Sequence, residues 1–325
     1  MNIWLVTPAP KGSRAGNRAS ANRWAAMLRR LGHKVTVATD YQGEDTDLMI
    51  ALHAWRSAQA IAKFAAHHPR KPLLVVLTGT DAYHFIQSHR DITLASLEAA
   101  DYIVGLHSLV GNVLPPPLRD KLRVIIQSAR PLRTRRPVKR HFRACFAGHL
   151  REEKDPLRPA IAVRNLPLQS HIRVDAYGRA YSEEWARLAR DEMHINPRYH
   201  WHGEIPHAEL RRIYTRSHLL VLPSVMEGGA NVISEAVMAG LPVIASDIEG
   251  SVGLLGDDYP GYYPVQDAAG LRERLLQAES DPDYYASLQA ACAARRHLFT
   301  REQEEAGWAS LMTDVQALPG VGRNT

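Results

Sequence analysis

Short runs of uninterrupted apolar residues alternate with amphipathic stretches along this 325-residue chain. Residues 2–6, 34–38, 48–52, 73–77, 102–106 and 122–126 are such runs. Between them, 17–31, 56–67 and 91–99 repeat their apolar residues at helical spacing. In the first of these Trp24, Leu28 and Leu31 share one face, and Gly32 stops it. A strand half-covered by water alternates polar with apolar, whereas a strand apolar throughout is covered on both faces. Strands of that kind, separated by amphipathic helices, specify a parallel sheet with helices on both sides.

The stretch Arg130-Pro-Leu-Arg-Thr-Arg-Arg-Pro-Val-Lys-Arg140 has no apolar period and reads as a linker. The pattern then restarts. Strands are predicted at 143–147, 172–176, 199–201, 219–222 and 242–245. Helices are predicted at 156–165, 182–193, 207–216, 230–239, 268–277, 283–294 and 301–318. The expected organisation is residues 1–130 as a first domain, 131–140 as linker and 141–300 as a second domain. Residues 301–325 form a helix and tail with the option of crossing back to the first domain, the tail 319–325 reading as disordered. The fold class is α/β, two Rossmann-like domains facing each other across a cleft. Ligands of such sheets bind beyond the carboxyl ends of the strands, so loops that follow strands are the places to look.

Charge narrows the partners. Lys+Arg 40 against Asp+Glu 34 leaves +6. That favours an anionic partner, whether nucleic acid, an anionic membrane or a phosphorylated small molecule. Cys145 and Cys292 are too few for a disulfide framework and read as core residues of a reduced, cytoplasmic protein. No apolar run approaches the roughly 20 residues of a membrane span, and the start has no leader pattern. The 16 His show no metal-ligand spacing.

The densest local signal runs from Pro223 to Ala245: strand, glycine turn, helix, strand. Glu227 stands in the turn and Glu235 eight residues on, inside the helix. Gly228 and Gly229 let backbone approach a ligand, and amides at a helix start form an anion site. Carboxylates on either side suit a ligand that also carries hydroxyls. This segment resembles the donor motif of retaining-type GT-B glycosyltransferases, family 4 in the usual classification. The resemblance implies that Glu227 faces the donor hexose. It implies that Gly228, Gly229, Ala230, Asn231 and Val232 meet hexose and diphosphate, and that Glu235 holds the ribose hydroxyls. Such proteins also carry Gly-Arg and then Lys after the first strand of this domain. Here the stretch is Gly148-His149-Leu150-Arg151-Glu152-Glu153-Lys154. Lys154 matches and His149 replaces the Arg. Either Arg151 supplies the missing cation or His149 does so in part. Gly203 and Ile205 fall where the family reads the base.

After the first strand comes Lys11-Gly12-Ser13-Arg14-Ala-Gly16-Asn17-Arg18. Three cations and flexible glycines suit a small anionic acceptor, with Asn17 either capping the following helix or touching the ligand. His53 and Arg56 follow the third strand. Thr78, Gly79, Thr80 and Asp81 follow the fourth, Asp81 as a base, a hydroxyl acceptor or a helix cap. These segments, with Gly253-Leu-Leu-Gly-Asp-Asp-Tyr-Pro-Gly-Tyr262, resemble one narrower group over residues 1–315, the SenB group of selenosugar synthases of selenoneine biosynthesis. The resemblance implies a UDP-sugar donor, UDP-N-acetylglucosamine or UDP-glucose, and selenophosphate as acceptor. It also implies the other enzymes of that pathway as functional partners. Glu227, Lys154, His53 and Asp81 are then the residues nearest the chemistry. Hexose transfer to a hydroxyl acceptor is the alternative on the same fold, but it leaves Lys11, Arg14 and Arg18 without a purpose. Asp45-Thr46-Asp47 spells the metal–sugar motif of the other glycosyltransferase fold, yet it precedes a strand instead of following one. No metal or organic cofactor is therefore expected. The basic run 133–140 lacks the interleaved aromatics of a nucleic-acid reader, so neither nucleic acid nor membrane is expected as partner.

Overall fold

The computed structural model describes residues 1–132 and 136–319. Arg133, Thr134 and Arg135 of the linker, and the tail beyond Pro319, lie outside the described residues. Two compact units are formed. The first comprises Met1–Gln127, Glu227–Gly229 and Arg301–Thr325, the second Ser128–Met226 and Ala230–Thr300.

The first unit is built on β1 (Asn2–Val6), β2 (Lys34–Ala38), β3 (Leu48–Leu52), β4 (Leu73–Val76), β5 (Tyr102–Gly105) and β6 (Leu122–Val124). They pair in the order β2-β1-β3-β4-β5-β6, every ladder parallel. β3 and β4 are buried at every position. Period-two alternation sends Leu48, Ile50 and Leu52 into one core and Met49 and Ala51 into the other. The first core also takes Trp24 and Leu28 from helix Gly16–Arg30 and Trp308, Leu311 and Val315 from helix Arg301–Gln316. The second takes Ile61 and Phe64 from helix Ala58–His67. Between the helices of the first core, Trp24 and Trp308 meet at 5.3 Å. Glu304, 1% exposed, accepts from Trp24 Nε1 at 2.7 Å and from Arg23 Nε at 3.2 Å.

The second unit carries β7 (Phe142–Ala147), β8 (Ile172–Tyr177), β9 (Tyr199–Trp201), β10 (Leu219–Leu222), β11 (Val243–Ser246) and β12 (Tyr262–Tyr263). Their order is β12-β11-β10-β7-β8-β9, again wholly parallel. Both units are therefore Rossmann-like sheets, as the apolar runs imply, and two of them are what the resemblance to GT-B glycosyltransferases implies. Several elements have no counterpart in the sequence pattern, among them short turns such as Asp81–Phe85, Ser108–Val113 and Pro116–Arg119, strand β12 and one helix. β12 spans two residues, too few to show a period. Helix Glu249–Leu255 contains Gly250 and Gly253, which hide its propensity. Both cysteines are buried, and burial pushes the Cys145 thiol up to about 12. Among the described residues no helix is long and apolar enough to cross a membrane.

Glu304→Ala removes a buried charged acceptor from two donors, a loss of about 2–3 kcal/mol. The urea midpoint followed by tryptophan fluorescence should fall accordingly, and an unchanged midpoint would refute the role of this bond.

Candidate functional site

In each sheet the strand order reverses once. In the first unit the reversal lies between β1 and β3, in the second between β7 and β10. At such a point neighbouring crossovers run to opposite faces and leave a crevice beyond the carboxyl ends.

Around β1 the crevice is cationic. Lys11 and Arg14 are exposed, Gly12 adopts φ +85°, and Ser13 Oγ accepts from Ala15 N at 3.1 Å. Helix Gly16–Arg30 starts from Ala15, which has no side chain to cap it, and its first turn holds no acid. The cap is thus Ala15 and not Asn17, which sits within the first turn. The positive end of the helix dipole thus lies beside the cationic loop, with no side-chain carboxylate of its first turn to offset it. Arg18 enters the same turn. It is only 8% exposed, and its Nε is buried with no hydrogen-bond partner. A guanidinium N–H shielded from water without an acceptor is costly. Two residues on, Ser20 Oγ accepts from Gln127 Nε2 at 2.7 Å, while Gln127 Oε1 is likewise buried and unpartnered.

Around β3 and β4 the groups are fixed. His53, 2% exposed, holds φ +72°, strained for a residue with a Cβ. Arg56 N donates to its Nδ1 at 3.1 Å, so the ring proton is on Nε2, 2.9 Å from Thr80 Oγ1. Burial holds this imidazole below its ordinary value. Asp81 pulls the other way, and Arg56 pushes it down again. Asp81 is fully buried. Its Oδ1 accepts from Thr78 N (2.9 Å) and Gly79 N (2.8 Å), its Oδ2 from Ala54 N (3.0 Å). The carboxylate therefore knits the β3 and β4 loops together. It opens a π-helical turn, Asp81–Phe85, a geometry concentrated at functional sites. At its far end Phe85 stacks on Trp55, centroids 3.9 Å apart and planes within 6°.

Glu227, Gly228 and Gly229 belong to this first unit. A Cβ on Gly228 would stand 2.3 Å from Gly79 N and 2.4 Å from Thr78 C, and one on Gly229 would stand 2.4 Å from Leu106 Cβ. No other residue fits at either place. Glu227 beside them is 8% exposed.

In the second unit the loops after β7, β8 and β9 are laced by backbone. Leu150 N donates to Arg179 O (3.0 Å), Tyr181 N to Leu150 O (2.9 Å), and Gly178 N to Gly203 O (2.8 Å). A Cβ on Gly178 would lie 1.9 Å from Gly148 O. Val225 N donates to Glu153 O at 3.0 Å, tying the 3₁₀ turn Glu152–Lys154 to the loop after β10. The reversal at β7 and β10 thus brings the Lys154 turn beside the approach to the glycine motif. His149 is half-buried with Nδ1 shielded and unpartnered. Burial depresses its imidazole. Glu204 opposes this, and Arg151, Arg179 and Lys154 reinforce it. His149 is therefore neutral among three cations. Arg151 also pairs with Glu153 at 3.4 Å and lies 5.8 Å over the Tyr181 ring. Gly203 takes φ +69°, and Ile205, two residues on, is half-buried. Helix Asn231–Met238 starts from Ala230, again without a side-chain cap or an acid in its first turn. Glu235 Oε1 meets His207 Nε2 at 2.8 Å, and Oε2 accepts from Tyr214 OH at 3.0 Å.

Arg179, His207, Tyr214 and Gln127 are absent from the sequence reading. Arg179 had a signal, since it directly follows the Gly178 that ends β8. The other three are brought to the site only by tertiary folding. Asp45-Thr46-Asp47 is tied to the amino end of β1: Asp47 Oδ2 accepts from Asn2 N, Thr46 Oγ1 donates to Asn2 O, and Asp45 pairs with Lys71.

Residues 133–295, half of the chain, match the family described as Glycosyl transferases group 1. The whole chain is similar to solved structures at low identity. Anabaena HepE in complex with UDP and glucose shares 14% identity at a TM-score of 0.77, covering 97% of this chain and 100% of that one. Sucrose-phosphate synthase from Thermosynechococcus elongatus shares 18% at a TM-score of 0.80, covering 98% and 99%. The pneumococcal O-GlcNAc transferase GtfA with UDP and GlcNAc shares 17% at 0.65, covering 93% of this chain and 61% of that one. Among curated proteins none matches.

His53 generates a pH prediction. Unfolded, it takes a proton near the ordinary 6.5, while the folded ring resists to lower pH. Below 6.5 the unfolded state binds more protons, so stability is full above that pH and falls as pH drops through the folded value. The loss of melting temperature between pH 7.5 and 5 should be smaller in His53→Gln than in the parent. Equal losses would show that His53 is not the group responsible.

Proposed function

This chain belongs to the group 1 glycosyl transferases, and we propose that it transfers the hexose of a UDP-sugar to selenophosphate. The donor is UDP-N-acetylglucosamine or UDP-glucose. The products are a 1-selenosugar, UDP and phosphate, the sugar–selenium step of selenoneine biosynthesis. The observation that carries the anionic acceptor is Arg18, with a buried, unpartnered Nε at the uncapped start of helix Gly16–Arg30. A hydroxyl could accept from that N–H, but an anionic acceptor offers the stronger, charge-assisted bond and offsets the buried charge.

The donor reading rests on the family and on the second strand-order reversal. UDP and glucose occupy HepE, and UDP occupies GtfA. Here Lys154, Arg151 and the amides of Ala230, Asn231 and Val232 meet the diphosphate. His149 donates or accepts as a neutral ring, Glu235 takes the ribose hydroxyls, Gly203 and Ile205 border the base, and Glu227 faces the hexose. On the acceptor side Lys11, Gly12, Ser13, Arg14, Asn17 and Arg18 hold the anion, with Arg56, Thr78, Gly79 and Thr80 around it.

The chemistry matches these residue types. Selenium of selenophosphate is a deprotonated, soft nucleophile at neutral pH. It attacks the anomeric carbon as the bond from that carbon to the UDP oxygen breaks. No strong base is needed, which agrees with an Asp81 committed to three amides and a His53 locked to Thr80. Charge growing on the departing diphosphate is met by fixed cations and helix amides, the form of catalysis that costs no reorganisation. Water then cleaves selenium from phosphorus. No metal or organic cofactor enters this scheme.

Purified protein with UDP-N-acetylglucosamine or UDP-glucose should yield a hexose bearing the selenium isotope pattern only when selenophosphate is present. Turnover of UDP-sugar with a hydroxyl compound and none with selenophosphate would overturn the acceptor. Arg14→Ala and Arg18→Ala should raise KM for selenophosphate about 10- to 100-fold, the loss of one charge-assisted bond. KM for the donor should barely move.

A further inference from the structure

Both oxygens of Glu235 are engaged by side chains of one helix, His207–Arg216. His207 and Tyr214 are seven residues apart, two turns, so they share a face and reach the same carboxylate. Their settings differ. Tyr214 is fully buried, and its phenol is held well above its ordinary value by burial first and then by Glu235, so it remains a donor. Its bond to Oε2 orients the carboxylate from within the unit. His207 is 62% exposed and lines an open groove of about 430 Å³ with Arg130, Arg211 and Arg212. A carboxylate only accepts, so Nε2 of His207 is the donor to Oε1.

We propose that Tyr214 is a positioning residue that fixes Glu235 for a nucleotide ribose, and that His207 occupies the oxygen a ribose hydroxyl takes, so that nucleotide binding displaces it. This rests on the reading of Glu235 as the ribose ligand. The two residues then act in opposite directions on one carboxylate. Tyr214 lowers the cost of presenting it, and His207 competes for it. A purely structural role for either would give no such opposition.

UDP binding to the full chain by calorimetry tests this. Glu235→Ala should weaken UDP by about 10-fold or more. Tyr214→Phe keeps the buried ring and loses one hydrogen bond, and should weaken UDP about 3- to 10-fold. His207→Ala should tighten UDP by up to about 5-fold, the worth of an exposed pair. In a Glu235→Ala background both changes should vanish. Tyr214→Phe and His207→Ala that shift affinity in the same direction, or leave it unchanged, while Glu235→Ala weakens it, overturn the proposal. If Glu235→Ala binds UDP like the parent, the ribose reading itself fails. Should Tyr214→Phe lose its cooperative melt, the sign of the His207→Ala effect decides alone, since that side chain is exposed.

Discussion

Everything useful in this chain follows from one topological constraint: an all-parallel sheet whose strand order reverses. Parallel strands need right-handed crossovers, and a reversal sends successive crossovers to opposite faces. Beyond the carboxyl ends at that place no helix covers the strands. In the first unit the loops flanking it follow β1 and β3, and they hold Lys11 to Arg18 and His53 to Arg56. In the second unit the loops follow β7 and β10, and the bond from Val225 N to Glu153 O draws them together. Residues far apart in sequence become neighbours with no need for local propensity to favour them.

The polar groups at these places fall into two kinds. Some are fully satisfied by the protein and serve as scaffold. Asp81 takes three backbone amides, and in doing so stabilises the left-handed His53 and the π-helical turn, both of which cost free energy in isolation. Others are buried and unsatisfied, namely Arg18 Nε, Gln127 Oε1 and His149 Nδ1. Such groups cost free energy in isolation, and on the function proposed above Arg18 and His149 are the two that bound substrates would engage. The helix starts at Ala15 and Ala230 likewise carry no side-chain cap. Serine or aspartate there would add about 1 kcal/mol of helix stability.

Architecture was legible because β3, β4 and β10 are continuous apolar runs, and their bounds in sequence and structure agree within a residue. The same period argument fails for β12, which has two residues, and for helix Glu249–Leu255, whose glycines mask it. The glycine turn and both glutamates were legible as a motif because local spacing alone carries them. Tyr214 was not, since on a helix facing two ways a buried tyrosine reads as packing. Only its distance to Glu235 gives it a second role. Of the two readings of Asn17, capping fails because the chain turns two residues earlier, at Ala15.

The glycine turn also shows why a clear motif does not by itself name a ligand. Gly228 and Gly229 are required twice over. Ligand approach would demand bare backbone, but Gly79 and Leu106 already exclude any Cβ by more than half an ångström of overlap below the 3.0 Å limit. Packing alone would therefore preserve these glycines in a protein that bound nothing there. The same is not true of the arginine at the start of helix Gly16–Arg30. Its Nε contributes no internal bond, and a leucine would fill the space at lower cost. Where a residue is explained by packing, it identifies the fold. Arg18 is the contrary case: packing does not explain its buried, unpartnered Nε, and the proposed anionic acceptor would.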